Sequence, residues 1–256
     1  MLREKIKNGE KTVGMYINLC DTAVARIAGL AGFDFVWIDL EHGHMSLEQV
    51  LNHIIAIKAG GTDVLVRVGV DDPATTKRVI ELGVDGVIFP MVTTAEQADA
   101  RMRETLYPPY GTRGFGPTHA VRYGYDSAAD YVKDTENNLL RFIQVEHKDA
   151  VDNLLEIVKN PYIDGYLFGP NDLSGSIGEL LNVFGENTSA LLSRAMKILR
   201  EHGKYTGVLT GDPSPETIAH WHELGVDMIS AGADYVLLQQ AMVHTREVLT
   251  LEHKNK

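Results

Sequence analysis

Eight short apolar runs recur along the chain, each followed by a stretch whose apolar residues return at helical spacing. That alternation is the sequence form of a parallel α/β sheet or barrel. The runs cover residues 12–18, 35–40, 63–68, 86–90, 140–145, 165–168, 205–209 and 227–230. Eight strand–helix units in 256 residues predict a single (β/α)8 TIM barrel. No linker, low-complexity tract or charge block divides the chain, so residues 1–256 are read as one domain.

An internal echo supports the count. Asp34, Asp85, Asp164 and Asp227 each open an apolar run, three of them two residues after a Gly suited to ending the preceding helix. Residues at strand beginnings serve stability and those at strand ends build the site, so these aspartates are read as a shared loop solution at the barrel's bottom. Asp72-Pro73 and the Asp212-Pro213-Ser214-Pro215 run mark helix starts. Residues 105–125 form the longest stretch without a clear strand, a length typical of a lid or binding surface. The last helix, about residues 234–251, is apolar enough to pack on a neighbouring subunit as well as on its own barrel.

With 24 Lys and Arg against 35 Asp and Glu, the net charge is −11. Such a surface repels nucleic-acid phosphates and anionic lipid. Cys20 is the one cysteine, no apolar run approaches the roughly 18 to 20 residues that span a bilayer, and the first residues lack the apolar core of a signal peptide. A soluble protein of the reducing cytoplasm is expected.

In a barrel all strand ends share one rim, and the residues there are chemically rich. Run two ends in Asp39, Glu41, His42 and His44; run three in Arg67; run five in Gln144 and Glu146; run six in Gly169, Asn171 and Asp172. Glu146 and Asp172 follow neighbouring strands and can converge on one hard divalent cation, although either could instead cap the next helix. Arg67 beside such a cation suits an oxyacid whose carbonyl becomes an enolate, and its alternative is an ion pair with Asp39 or Glu41. Gln144, two residues before Glu146, shares its side of the strand. His42 is the candidate general base, since its ordinary pKa lies near neutrality and two carboxylates precede it. No lysine sits inside a strand, and only Lys148 lies near a strand end, which disfavours a Schiff-base mechanism. The Arg113–Gly116 loop could close over an anion through its N–H groups. Gly211 and Gly232 stand where barrels bind phosphate, but Asp212 and Asp234 argue against it there.

Together, residues 37–43 (WIDLEHG), 66–67 (VR), the 72–83 helix, 89–91 (FPM), 107–116 (YPPYGTRGFG), 144–146 (QVE) and 169–174 (GPNDLS) resemble the metal-dependent (class II) pyruvate aldolases. The similarity is to those of the 4-hydroxy-2-oxoheptanedioate and 2-dehydro-3-deoxyglucarate aldolase type. The resemblance implies a carbon–carbon lyase that cleaves a 4-hydroxy-2-oxo acid to pyruvate and an aldehyde. It implies Glu146 and Asp172 as ligands of a divalent ion (Mg2+, Mn2+ or Co2+), and Arg67 at the keto oxygen. Backbone N–H groups near Gly169 and Asn171 would hold the pyruvate carboxylate. His42 would pair with the acidic group at position 81, where this chain carries Glu81 and relatives carry Asp; since Glu81 falls late in its helix, away from its own rim, that pairing would cross a subunit boundary. Asp39 is read as a supporting group beside the metal, and a homo-trimer or hexamer is implied. Gly43-His44, Met15-Tyr16 and Gly175-Ser176 depart from the family pattern around the outer site, where the aldehyde would sit. The competing expectations are a related barrel lyase acting on a phosphoenolpyruvate-like or acyl-CoA substrate, such as a citramalyl lyase, and a non-catalytic metabolite-binding barrel.

Overall fold

In the computed structural model, which describes residues 1–254, all eight apolar runs are strands. In chain order the elements are α1 (Leu2–Lys7), β1 (Thr12–Ile17), α2 (Thr22–Leu30), β2 (Phe35–Asp39), α3 (Leu47–Lys58), β3 (Asp63–Arg67), α4 (Pro73–Glu81), β4 (Gly86–Phe89) and α5 (Ala95–Thr105). There follow α6 (Ala128–Asn138), β5 (Leu140–Val145), α7 (Lys148–Asp152), α8 (Leu154–Ile157), β6 (Gly165–Phe168), α9 (Pro170–Gly175), α10 (Glu186–Glu201), β7 (Thr206–Thr210), α11 (Pro215–Leu224), β8 (Met228–Ala233) and α12 (Asp234–Lys254). Each strand pairs in parallel with the next, and β8 returns to β1, closing the barrel.

Two apolar layers hold it. Inside, Phe35, Trp37, Leu65, Ile88, Leu140, Phe142, Leu167 and Met228 fill the barrel, with Leu2 of α1 joining them. Gly14 faces this layer, and a Cβ there would collide with the Phe35 ring, so the smallest residue makes room for one of the largest. Outside, Val36, Ile38, Val64, Val66, Ile143, Val145, Tyr166 and Phe168 bury themselves against the helices, as alternate strand positions must. Phe35, Trp37 and Asp39 therefore point inward together.

The four repeated aspartates share one geometry. Asp34, Asp85, Asp164 and Asp227 accept the N–H of Val13, Val64, Arg141 and Thr206, at 2.9, 2.8, 2.8 and 2.9 Å. Each thus stitches the start of the preceding strand, and each also ion-pairs with a basic side chain: Lys5, Lys58, Arg3 and Arg200 in turn. Short α1, which carries Arg3 and Lys5, covers this end, and the Leu2 N–H donates to Asp63. These groups belong to the bottom of the barrel, as the sequence reading expected.

Residues 106–127 hold a short 3-10 turn at Arg122–Gly124 and no strand. They leave the C-terminal end of α5, and helices return from rim to bottom, so the segment lies at the strand starts. Ala120 N–H donates to the Glu81 carbonyl at 3.0 Å, and His119 Nδ1 to that of Leu82 at 2.7 Å. It is therefore no lid over its own chain's cleft. Arg113 is buried there, its guanidinium stacked on Tyr107 at 4.6 Å and donating to the Tyr131 hydroxyl at 3.1 Å.

Among the described residues no helix is long and apolar enough to cross a membrane. Helix α12 touches its own barrel mainly through β1 and β8. Beyond its first turn Leu237, Leu238, Met242, Val248, Leu249 and Leu251 are exposed.

Candidate active site

At the C-terminal ends of the strands a cleft of about 240 Å³ opens between Tyr16, Asn18, Trp37, Asp39, His42, Arg67, Gln144, Gly169–Asp172, Leu209–Gly211 and Tyr235. Register explains the convergence. Asp39 pairs with Arg67 across β2 and β3, and Gln144 with Leu167 across β5 and β6, so the last inward residues of these strands share the rim.

Arg67 is the centre of a buried polar network. Its Nε donates to Asp39 Oδ1 at 2.9 Å and its Nη2 to Asp39 Oδ2 at 2.7 Å, a bidentate pair that fixes the guanidinium plane. Nη1 donates to Gln144 Oε1 at 3.3 Å and lies 3.2 Å from Glu41 Oε2. The Trp37 ring lies 5.0 Å from the guanidinium carbon, adding a cation–π contact. The ion pair that competed with a functional reading of Arg67 exists, and it holds the side chain at the cleft.

Asp39 also accepts the N–H groups of Glu41, at 3.1 Å, and His42, at 3.4 Å. Asp39 thus shapes the turn that carries the histidine. Glu41 lies between Arg67 and His42, its Oε2 3.8 Å from His42 Nε2. Burial pushes the Glu41 carboxyl up, opposed by Arg67 and then His42. The His42 side chain is 64% exposed and free to meet a ligand in the cleft. Its partner within the chain is Glu41. Glu81 ends α4 at the barrel's bottom and is not among the cleft residues of its own chain.

Glu146 lies beneath the cleft floor, 2% exposed. Its Oε2 accepts from Gln144 Nε2 at 2.7 Å and its Oε1 from the Met91 N–H at 2.7 Å. Met91 turns into the left-handed region (φ 53°) directly beyond β4 to present that N–H, a conformation that costs a non-Gly residue energy. Gly169 is required beside the carboxylate, because a Cβ there would collide with Oε2. Burial pushes the Glu146 carboxyl up to about 7, opposed by the Met91 N–H and reinforced by Glu41 and Asp172. Asp172 is exposed on the third residue of α9. Neither carboxylate caps a helix: α7 is capped by His147 and α9 by Gly169, which offers no side chain.

These residues fit a hard divalent cation. Glu146 and Asp172 are oxygen donors whose like charges resist sharing one site without a counter-ion. Among the described residues no third His, Cys, Asp or Glu completes a cage, so other positions are left for water and substrate oxygens. Beyond β7 and β8 the two rim aspartates are engaged by neighbouring groups. Asp212 accepts from the Ser214 and Thr217 side chains, and buried Asp234 accepts the N–H groups of Asn18 and Leu19.

A model of the HpcH/HpaI aldolase/citrate lyase family matches residues 12–240, which spans every strand and every cleft residue. The chain belongs to the HpcH/HpaI aldolase/citrate lyase family. Among HpcH/HpaI relatives, a hydroxypyruvate/pyruvate aldolase of Deinococcus radiodurans is 32% identical over 240 residues, 93% of this chain and 86% of that one. A 4-hydroxy-2-oxo-heptane-1,7-dioate aldolase of Klebsiella pneumoniae is 30% identical over 236 residues, 92% and 88% of the two chains. The crystal structure of an HpcH/HpaI aldolase from Desulfitobacterium hafniense superposes with a TM-score of 0.89 at 25% identity, covering 97% of this chain and 96% of that one.

Asn18, Trp37 and Tyr235 line the cleft without having been singled out as site residues in sequence, whereas Tyr16 was read there as part of the outer site. Strand alternation could have found Trp37, since inward-pointing Asp39 fixes the parity of β2. Tyr235 and the Met91 N–H leave no such mark.

Proposed function

We propose that this HpcH/HpaI barrel catalyses divalent-metal-dependent, reversible aldol cleavage of a 4-hydroxy-2-oxo acid to pyruvate and an aldehyde. The observation that carries this reading is the buried Glu146 carboxylate, joined through Gln144 to Arg67, at a strand-end cleft that Asp172 also lines. Glu146 and Asp172 would hold the cation, which when bound supplies Lewis-acid polarisation of the 2-oxo acid.

The chain's own groups do the rest. The Asn171 N–H falls in the first turn of α9, where it has no intrahelical partner, and with the Gly169 N–H it receives the substrate carboxylate. Arg67 faces the keto oxygen. Asp39 occupies Nε and one hydrogen of Nη2, which leaves the second Nη2 hydrogen for the charge that develops there. His42 takes the proton of the 4-hydroxyl as the C3–C4 bond breaks, and the bonding pair passes into the pyruvate enolate. Glu41 lies against both groups, its Oε2 3.8 Å from His42 Nε2 and 3.2 Å from Arg67 Nη1. In the reverse direction His42 returns that proton to the new hydroxyl.

The exposed apolar face of α12 supports a homo-oligomer, a trimer or hexamer, in which this helix packs on a neighbouring subunit. Within it Glu81, remote from His42 in its own chain, would meet the His42 of a neighbour. Calorimetric titration with Mg2+ or Mn2+ and then pyruvate tests the site. Tight binding of both that is lost in Glu146→Ala supports the reading, and unaltered binding in that variant refutes it.

A further inference from the structure

Around the closed barrel β1 lies four strands from β5 in either direction, so residues at the β1 end face the Gln144–Glu146 side across the mouth. What stands there is a set of neutral hydroxyl and amide groups. Tyr16, next to last in β1, has its ring stacked on Trp37 at 4.8 Å, and Trp37 is itself pinned by donation from Nε1 to Ser230 Oγ at 2.7 Å. The Tyr16 hydroxyl lies 3.4 Å from that of Tyr235, in the first turn of α12, with the two rings edge to face at 6.5 Å. Asp234, 3% exposed, accepts the Asn18 N–H at 3.1 Å and the Leu19 N–H at 2.9 Å. The residue next to Tyr235 is thereby tied to the segment following Tyr16, which fixes the two phenols relative to each other. Asn18 Oδ1 and Thr210 adjoin them, and Asn18 Oδ1 has no hydrogen-bond partner among the described residues. Burial pushes the Tyr16 phenol far above its ordinary value, so it remains a neutral donor.

Charge makes the complementary point. Among the described residues lining the cleft the lysine and arginine side chains number one, Arg67, and it is ion-paired with Asp39 and Glu41. An aldehyde carrying a carboxylate would meet two phenols at this mouth with no free lysine or arginine to pair with, since Arg67 is already ion-paired, and desolvating it there is costly. A neutral aldehyde with a hydroxyl group would exchange its water partners for phenolic and amide partners.

We propose that the Tyr16–Tyr235 pair determines the aldehyde specificity of this site. It selects a short neutral aldehyde with a hydroxyl on the carbon beside its carbonyl over one bearing a carboxylate. This inference rests on the aldolase reading above.

The test is aldol addition by the Mg2+-loaded protein of pyruvate to glycolaldehyde, acetaldehyde and succinate semialdehyde in parallel. Glycolaldehyde is expected to give the highest kcat/KM, about tenfold or more above the others. Tyr235→Phe should lower its advantage over acetaldehyde about tenfold, chiefly through KM, the worth of one neutral hydrogen bond. A kcat/KM for succinate semialdehyde equal to or above that for glycolaldehyde overturns the inference. So does an advantage over acetaldehyde that survives in both Tyr235→Phe and Tyr16→Phe. Exchange of the pyruvate methyl protons with solvent deuterium, read by NMR, requires no aldehyde. Exchange without the acceptor preference removes this inference alone, whereas no exchange and no addition removes the aldolase reading and this inference with it.

Discussion

Glu146 shows how one residue's surroundings define its chemistry. Two hydrogen bonds serve its ionised form, yet burial and two neighbouring carboxylates raise its pKa to about 7. With the folded value above the unfolded one, the native state holds a proton between about pH 4.5 and 7 that the unfolded chain has released. The associated stability is full below that window and lost as pH rises through it. A cation competes for the same oxygen atoms. Affinity for Mn2+ should therefore climb by up to about tenfold per pH unit below 7 and level off above it. Calorimetry at about pH 6 and about pH 8, in buffers of different ionisation enthalpy, checks this, and an affinity that ignores pH speaks against Glu146 as a ligand. At this scale the side chains that gather at the cleft were legible, because Asp39, Arg67, Gln144 and Glu146 stand at or next to the last residue of their apolar runs. What was not legible is backbone-borne or long-range: the Met91 N–H, and Tyr235, which arrives from a different element. Glu146 and Asp172 also looked like possible helix caps, and only the observed caps, His147 and Gly169, remove that alternative.

Among the elements, the strands were readable to within a few residues because strand length and turn residues are local properties. The run ending at 209 is instead Thr206–Thr210, and the run ending at 230 continues to Ala233. Helix α1 was not foreseen, since six residues are too short to display a helical period. Its function in the fold emerges only when Leu2 meets the barrel interior and Lys5 meets Asp34. The repeated strand-opening aspartates behave as a structural device, and Asp85→Ala tests it. The change strips Val64 N–H of its acceptor and Lys58 of its partner, at a cost of about 1–3 kcal/mol. Thermal unfolding should shift down by several degrees, with kcat for pyruvate formation within about twofold of the parent. A large loss of kcat at unchanged stability would instead assign the aspartates to the site.

For the whole molecule, the alternating pattern was sufficient to specify a closed barrel, because eight parallel strand–helix units have a self-consistent closure. Features that depend on another chain lie beyond such a pattern. Three surface features bear on such a neighbour: the exposed apolar residues of α12, the position of Glu81 at the bottom of the barrel, and the adjoining segment 106–127 with Phe115 and Tyr123 exposed. A neighbour that accepts α12 and receives Glu81 at its own cleft would account for all three. Subunit mixing examines this. His42→Ala and Glu81→Ala proteins, each weakly active alone, should regain activity when unfolded together and reassembled, since some mixed interfaces then carry both native groups. No recovery, in mixed oligomers verified by mass, would confine each site to one chain.

The account's central claim is that a cation held by Glu146 and Asp172 and an arginine held by Asp39 together make a pyruvate-forming cleft. Its most direct test is pyruvate release from a 4-hydroxy-2-oxo acid before and after exhaustive treatment with EDTA. Release that is abolished by EDTA and restored by Mg2+ or Mn2+ is the predicted result, and release that persists after complete metal removal would contradict it.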